Sequence, residues 1–258
     1  MAHPAFDLTG RVAVVIGGTS GIGRALSVAL AQAGADIVPT GRRLELIDEV
    51  ARDVEKLGRR ALRIPSDIMD VGSLEALRDA VVATWGGVDI LLNCAGITKR
   101  VPTLEMRDED WNTIMGTNVT GALHASQVFG RHMIERRSGR IIHIASLSSF
   151  VALFEVAAYA ASKAAVASLT KSLAVEWARY NVCVNAIAPG VFRTALNADL
   201  LDSTDRGREF LLRTPMKRFG RVEELAGAAI FLASDAASFV TGEVLVVDGG
   251  FLASGVDQ

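Results

Sequence analysis

The stretch Val12-Ala13-Val14-Val15-Ile16-Gly17-Gly18-Thr19-Ser20-Gly21-Ile22-Gly23 decides the fold. Its first five residues form an unbroken apolar, mostly β-branched run, as expected of a strand buried on both faces. The glycines after it let the chain turn tightly and let backbone N–H groups come close to an anion. Helical periodicity then runs to about Gln32, so the loop opens a helix whose aligned peptide dipoles favour negative charge. Glycine clusters also mark ordinary strand–helix turns. Between a buried strand and a helix, this one points to a phosphate group.

Downstream the same alternation repeats. Strands are predicted over Ala35–Thr40, Ala61–Ile64, Val88–Asn93, Arg140–Ala145, Val182–Ala188 and Val244–Val247. Helices are predicted over Leu44–Leu57, Val71–Trp85, Asp108–Thr117, Val119–Arg136, Val156–Arg179 and Val222–Leu232. The acidic run Asp108-Glu109-Asp110 suits the start of its helix. The alternation predicts an α/β fold: a single-domain, Rossmann-type doubly wound parallel sheet flanked by helices, over residues 1–258. After Pro189-Gly190 the pattern turns polar as far as Pro215, which predicts a mobile insert over a site, at about 191–215.

Half of the chain is apolar and 22% is charged, enough to build a large core. The 27 basic and 29 acidic residues leave a net charge of −2, without the excess needed to grip nucleic acid. Two cysteines, Cys94 and Cys183, provide no disulfide framework. The opening Met-Ala-His-Pro-Ala-Phe-Asp lacks a signal-peptide pattern, and no apolar run is long enough to span a bilayer. A soluble, cytoplasmic protein is expected. His3, His124, His132 and His143 show no metal-ligand spacing, so no metal is expected.

Tyr159 and Lys163 are four residues apart, on one face of a predicted helix. A nearby cation favours a phenolate and eases proton exchange with a substrate oxygen. Alone, such a pair is most simply a surface contact. Here Ser146 ends a predicted strand thirteen positions before Tyr159, and Asn118 lies at a helix junction.

Together Asn118, Ser146, Tyr159 and Lys163 resemble the catalytic tetrad of the short-chain dehydrogenase/reductase family. The loop with glycines at 17, 21 and 23 resembles that family's nucleotide loop, with Ile16 where the family has threonine. The resemblance covers essentially the whole chain. It implies that Gly17, Thr19, Ser20, Gly21, Ile22 and Gly23 hold the cofactor pyrophosphate. It places Asp67 and Ile68 at the adenine and Asn93, Ala95 and Gly96 beside the ribose. It places Pro189, Gly190, Phe192 and Thr194 at the nicotinamide carboxamide, and matches Val247-Asp248-Gly249-Gly250 to the C-terminal strand signature. Tyr159 is then the acid/base, Ser146 steadies the substrate oxygen, and Lys163 binds the ribose and lowers the Tyr159 pKa. Asn118 holds a water in a proton relay. Cys94, where the family has a second asparagine, reads as a small buried residue.

The second predicted strand ends in Thr40-Gly41-Arg42-Arg43, with glycine where NAD-specific members of the family carry aspartate. Without that carboxylate a 2′-phosphate is not repelled, and Arg42 and Arg43 can bind it, so NADP(H) is expected over NAD(H). Asp36 starts its strand, away from the crevice. Several strings resemble the family's sugar-acid branch, such as the gluconate 5-dehydrogenases. They include Ala95–Pro102, Thr214–Gly220 and Phe231–Val240. On that basis Arg100, with Lys99, is expected to clamp a substrate carboxylate. The alternatives are a 3-oxoacyl-carrier-protein reductase, which would want a basic docking patch, and a catalytically silent dinucleotide sensor. Surplus small and apolar residues on the helices from Val119 and Val156 suggest a homotetramer.

Overall fold

The computed structural model describes residues 3–194 and 197–255. The seven remaining positions of the span 1–258, two of them inside the 191–215 insert, lie outside the described residues. Six strands form one parallel sheet: β1 (Val12–Ile16), β2 (Asp36–Thr40), β3 (Ile90–Asn93), β4 (Gly139–Ile144), β5 (Val182–Pro189) and β6 (Val244–Val247). Their order is β2-β1-β3-β4-β5-β6. The chain leaves β1 in one direction for β2 and returns on the other side for β3. A crevice therefore opens at the carboxyl ends of β1 and β3, where this fold class binds ligands.

Nine α-helices are seen among the described residues. They are α1 (Gly21–Gln32), α2 (Leu44–Lys56), α3 (Val71–Trp85), α4 (Asp108–Met115), α5 (Gly121–Arg136), α6 (Ala157–Trp177), α7 (Ala198–Leu201), α8 (Asp205–Arg213) and α9 (Ala226–Ala233). The strand side chains alternate between two cores. Ala13 and Val15 of β1 pack with Leu26 and Leu30 of α1, Val50 and Val54 of α2, and Leu232 of α9. Val12, Val14 and Ile16 pack with Leu77 and Val81 of α3, Phe129 and Met133 of α5, and Leu173 of α6. This two-sided burial explains why the strands read as continuous apolar runs.

The expected strand over 61–64 is absent. Ala61 makes a single bridge to Ile37 of β2. Ile37 accepts from Leu62 and donates to Arg60, so it faces the outer edge. Two residues on, the next outward position is Pro39, which has no N–H for the following rung. The Thr40 hydroxyl instead caps the Ile64 carbonyl at 2.7 Å. The expected break between two helices at 117–119 is a π-helical turn over Gly116–Thr120, leading directly into α5. Among its described residues the insert contains α7 and α8.

Polar groups inside the sheet layer are paired. His143 of β4 is 1% exposed and lies between Ser126 of α5 and Thr170 of α6, both at 2.9 Å. Burial, with Lys163 nearby, pushes its pKa down to about 4 from 6.5. The folded protein therefore refuses a proton that the unfolded chain accepts below about pH 6.5. The neutral imidazole's stabilising contribution is complete above that pH and falls as pH drops toward 4. The expected loss is about 3 kcal/mol. Thermal unfolding between pH 7 and 4 should show a decline that is shallower in His143→Asn, and equal slopes would contradict this.

Candidate active site

The glycine loop is held by its own backbone. The N–H groups of Gly17 and Gly18 both donate to the Thr40 carbonyl, at 2.9 and 3.2 Å. They are therefore committed to joining β1 to β2. Gly17 has φ +74°, and a Cβ there would stand 2.8 Å from the Ala95 nitrogen. At Gly23 a Cβ would stand 2.0 Å from the Gly17 carbonyl oxygen. These glycines bring the ends of β1, β3 and α1 together. The Ser27 hydroxyl braces the loop from inside by donating to the carbonyls of Gly18 and Gly23, so the loop does not rely on a hydroxyl at position 16.

The first turn of α1 remains for the anion. Its N-cap, Ser20, makes no side-chain capping bond, and the turn carries no acidic residue. The N–H groups of Gly21, Ile22 and Gly23 have no intrahelical partners, as at any helix start. The space beside Gly21 is open, with Thr194 the nearest neighbour of an added Cβ at 3.9 Å. These residues fit a cofactor pyrophosphate.

The other expected cofactor residues lie along the same crevice. A Cβ on Gly41 would stand 3.3 Å from the Thr19 hydroxyl, and Arg42 and Arg43 follow it, both exposed. One carboxylate oxygen of Asp67 accepts from the Met69 N–H. Ile68 is buried, against Gly121. Asn93 is buried at the end of β3, with its side-chain oxygen facing the Ala95 N–H at 3.3 Å. Pro189 ends β5, and Gly190 donates to the Val247 carbonyl. Phe192 is buried and bridges to Gly220, while Thr194 is tied to the Asn197 side chain. Asp36 lies at the opposite end of the sheet, paired with Arg59 and Arg60.

Ser146, Tyr159 and Lys163 meet at the end of β4. Lys163 is 5% exposed and donates to the Ile144 carbonyl at 2.6 Å. Its ammonium lies 5.7 Å from the centre of the Tyr159 ring. Gly96 leaves room opposite: a Cβ there would stand 3.3 Å from the Lys163 nitrogen and 3.4 Å from Asn118 Oδ1. Burial lowers the Lys163 pKa to about 8. The Tyr159 pKa is raised by burial, which outweighs the opposite effect of its hydrogen bond with Ser146. Lys163 was expected to lower it; in the protein alone, desolvation dominates.

Asn118 is 2% exposed in the π-turn. Its Oδ1 accepts from the Ile97 N–H at 2.8 Å, and its Nδ2 donates to the Ile97 carbonyl and the Ser162 hydroxyl, each at 2.9 Å. Ser162 in turn donates to the Tyr159 carbonyl at 2.7 Å. Both amide protons are thus occupied. The side chain joins the loop after β3 to the first turn of α6, and a relay water would have to use other atoms. The pattern of single residues gave no sign of Ser162.

Arg100 is not free. Its Nε donates to Glu155 at 2.6 Å, and Lys99 is paired with Asp110 at the same distance. Cys94 is packed inward, where burial pushes its thiol up to about 12, so it is no reactive thiolate. Among the described residues no group of three His, Cys, Asp or Glu side chains is gathered to hold a metal, and no helix is long and apolar enough to cross a membrane.

Comparison with known proteins agrees with this arrangement. Residues 16–252 match a family model described as enoyl-(acyl carrier protein) reductase. The chain is 41% identical to the gluconate 5-dehydrogenase of Gluconobacter oxydans, covering 98% of this chain and all of that one. It is also 41% identical to the 2-dehydro-3-deoxy-D-gluconate 5-dehydrogenase of Escherichia coli, with the same coverage. A crystal structure of a gluconate 5-dehydrogenase from Burkholderia cenocepacia, in complex with NADP and tartrate, superposes with a TM-score of 0.93. It has 42% identity over 97% of this chain and 98% of that one. A nucleotide-type loop, a Ser–Tyr–Lys cluster and whole-length similarity converge on one conclusion: the chain belongs to the short-chain dehydrogenase/reductase family.

Proposed function

We propose that the protein is an NADP(H)-dependent oxidoreductase that interconverts a secondary alcohol and a ketone on a sugar acid. The observation that carries this reading is the meeting of Ser146, Tyr159 and Lys163 at the mouth of a crevice whose far wall is an uncapped helix start. The names of the relatives, which specify carbon 5 of gluconate or of its 2-dehydro-3-deoxy form, support the substrate class.

The bound oxidised nicotinamide would supply the hydride acceptor. The chain's residues handle the proton and the geometry. Ser146 would hydrogen-bond the substrate oxygen, and Tyr159, in the phenolate form that the Lys163 charge favours, would take its proton as the carbonyl forms. Lys163 would hold the cofactor ribose and place positive charge beside the phenol. Asn118 would fix α6 against the loop after Gly96. Arg42 and Arg43 follow Gly41 with no carboxylate partner among the described residues, which supports a 2′-phosphate as their ligand. NAD(H) would bind the same crevice without that contact. The segment 191–215, with α7 and α8, would form the substrate loop.

A homotetramer is also proposed. Ala161, Ala164 and Val175 on α6 face solvent, Val175 at 83% exposure, a surface suited to pairing with a second copy. Sedimentation at micromolar concentration should give a four-chain mass, and a monomer would contradict it. Two unpaired cysteines suit a reducing cytoplasm, which cell fractionation would check.

One set of assays tests the chemistry. With gluconate, the parent should give a higher kcat/KM with NADP+ than with NAD+. Arg42→Ala should bring the two closer, about tenfold for a lost charge-assisted contact. A parent preference for NAD+, or a ratio unmoved in the variant, would overturn the phosphate assignment. Tyr159→Phe should lower turnover by about a hundredfold or more with cofactor binding intact. Near-normal turnover would overturn its role.

A further inference from the structure

The loop from Ser146 to Tyr159 carries an unusual residue. Glu155 has φ +62°, a left-handed conformation costly for a side chain that lacks local hydrogen bonding of the Asn or Asp kind. The strain coincides with a junction. The Glu155 carbonyl accepts from the Val101 N–H at 2.8 Å, and its carboxylate accepts from Arg100 at 2.6 Å. The preceding carbonyl, of Phe154, accepts from Arg206 of α8 at 3.2 Å. Three segments therefore converge four residues ahead of Tyr159: the loop after β3, the Ser146–Tyr159 loop and the insert.

The charges at this junction do not balance. Burial, with the Arg100 charge, lowers the Arg206 pKa against the opposing effects of Glu155 and Glu209. Among the described residues no carboxylate lies within ion-pair distance of Arg206. Of the other acids of its segment, Asp202 pairs with Arg193, Asp205 with Arg208 and Glu209 with Arg213, and Asp199 acts on Arg193. Arg100 thus holds the Glu155 carboxylate, while Arg206 hydrogen-bonds the neighbouring Phe154 carbonyl and lies over the Phe210 ring. Like charges are held together only where something else offsets their repulsion.

We propose that Arg206 joins Arg100 in a two-arginine clamp for the substrate's carboxylate, and that Glu155 occupies the clamp as an internal stand-in. This rests on the sugar-acid reading and extends it. An incoming carboxylate fits two fork-shaped donors, one of which, Arg100, already holds a carboxylate, and supplies the negative charge that Arg206 lacks. Because Arg206 is carried on α8 and hydrogen-bonds the Phe154 carbonyl, the contact also draws the insert onto the bound substrate. Glu155 makes neutral alcohols poor ligands, since they cannot replace its charge. Specificity for acids then comes from a partner exchange as well as from added attraction.

The test compares kcat/KM for gluconate with that for a neutral polyol, sorbitol, using NADP+. Arg206→Ala should lower the gluconate-to-sorbitol ratio at least tenfold, mainly through the gluconate KM, and Arg206→Lys should restore part of it. Glu155→Gln, which keeps the shape but removes the competing charge, should lower the gluconate KM several-fold. An unchanged ratio in the Arg206 variants, or a higher gluconate KM in Glu155→Gln, would overturn the clamp while leaving the sugar-acid reading intact. A parent that oxidises sorbitol but not gluconate would overturn both. Should Arg206→Ala fail to fold, Arg206→Lys and Glu155→Gln still decide the matter.

Discussion

The buried ammonium of Lys163 is the constraint to which the site is fitted. A charge removed from water needs acceptors, and Lys163 finds one in the Ile144 carbonyl at the end of β4. That bond ties α6 to the sheet and sets Tyr159 one turn earlier on the same helix, within reach of Ser146. The Ser149 hydroxyl adds a second tie by donating to the Lys163 carbonyl at 2.8 Å. Gly96 follows from the same demand, because a side chain there would crowd both the ammonium and Asn118. Hence residues far apart in sequence are fixed by one another.

The cofactor side obeys close approach rather than charge. Gly17, Gly23 and Gly190 stand where a Cβ would strike backbone, so the strand ends and α1 pack more tightly than side chains permit. The Thr40 carbonyl takes two loop N–H groups, which turns the loop into a rigid shelf. What remains open is the helix start and the gap between Gly21 and Thr194. The two halves of the site thus have different physics: a largely buried polar cluster at β4 and a shelf of backbone donors at β1.

Much of this was legible in the sequence because it depends on local rules. The buried strands announce themselves as β-branched runs, and the glycine loop and the Tyr159–Lys163 spacing are short-range patterns. The predicted helix Val71–Trp85 is matched residue for residue, with Asp70 capping its start and Gly86 its end. The failures are non-local. Ala61–Ile64 has the composition of a strand, but whether it pairs depends on a proline in its neighbour. Asn118 was visible as a site residue, yet its bonds to Ile97 and Ser162 exist only after folding. Arg100 was visible as a charge near the crevice. Its partner Glu155 stands fifty-five positions away, and Arg206 arrives on a helix that the polar insert pattern concealed.

Desolvation, rather than proximity to Lys163, sets the ionisation of Tyr159 in the protein alone. The chain has only two tyrosines, Tyr159 and Tyr180, so the alkaline ultraviolet difference between the protein and its Tyr159→Phe variant reports Tyr159 directly. Titrated without cofactor, that difference should have its midpoint above the ordinary phenol value of 10.0. A midpoint well below that value would mean that the lysine charge outweighs burial, and would contradict this order of effects.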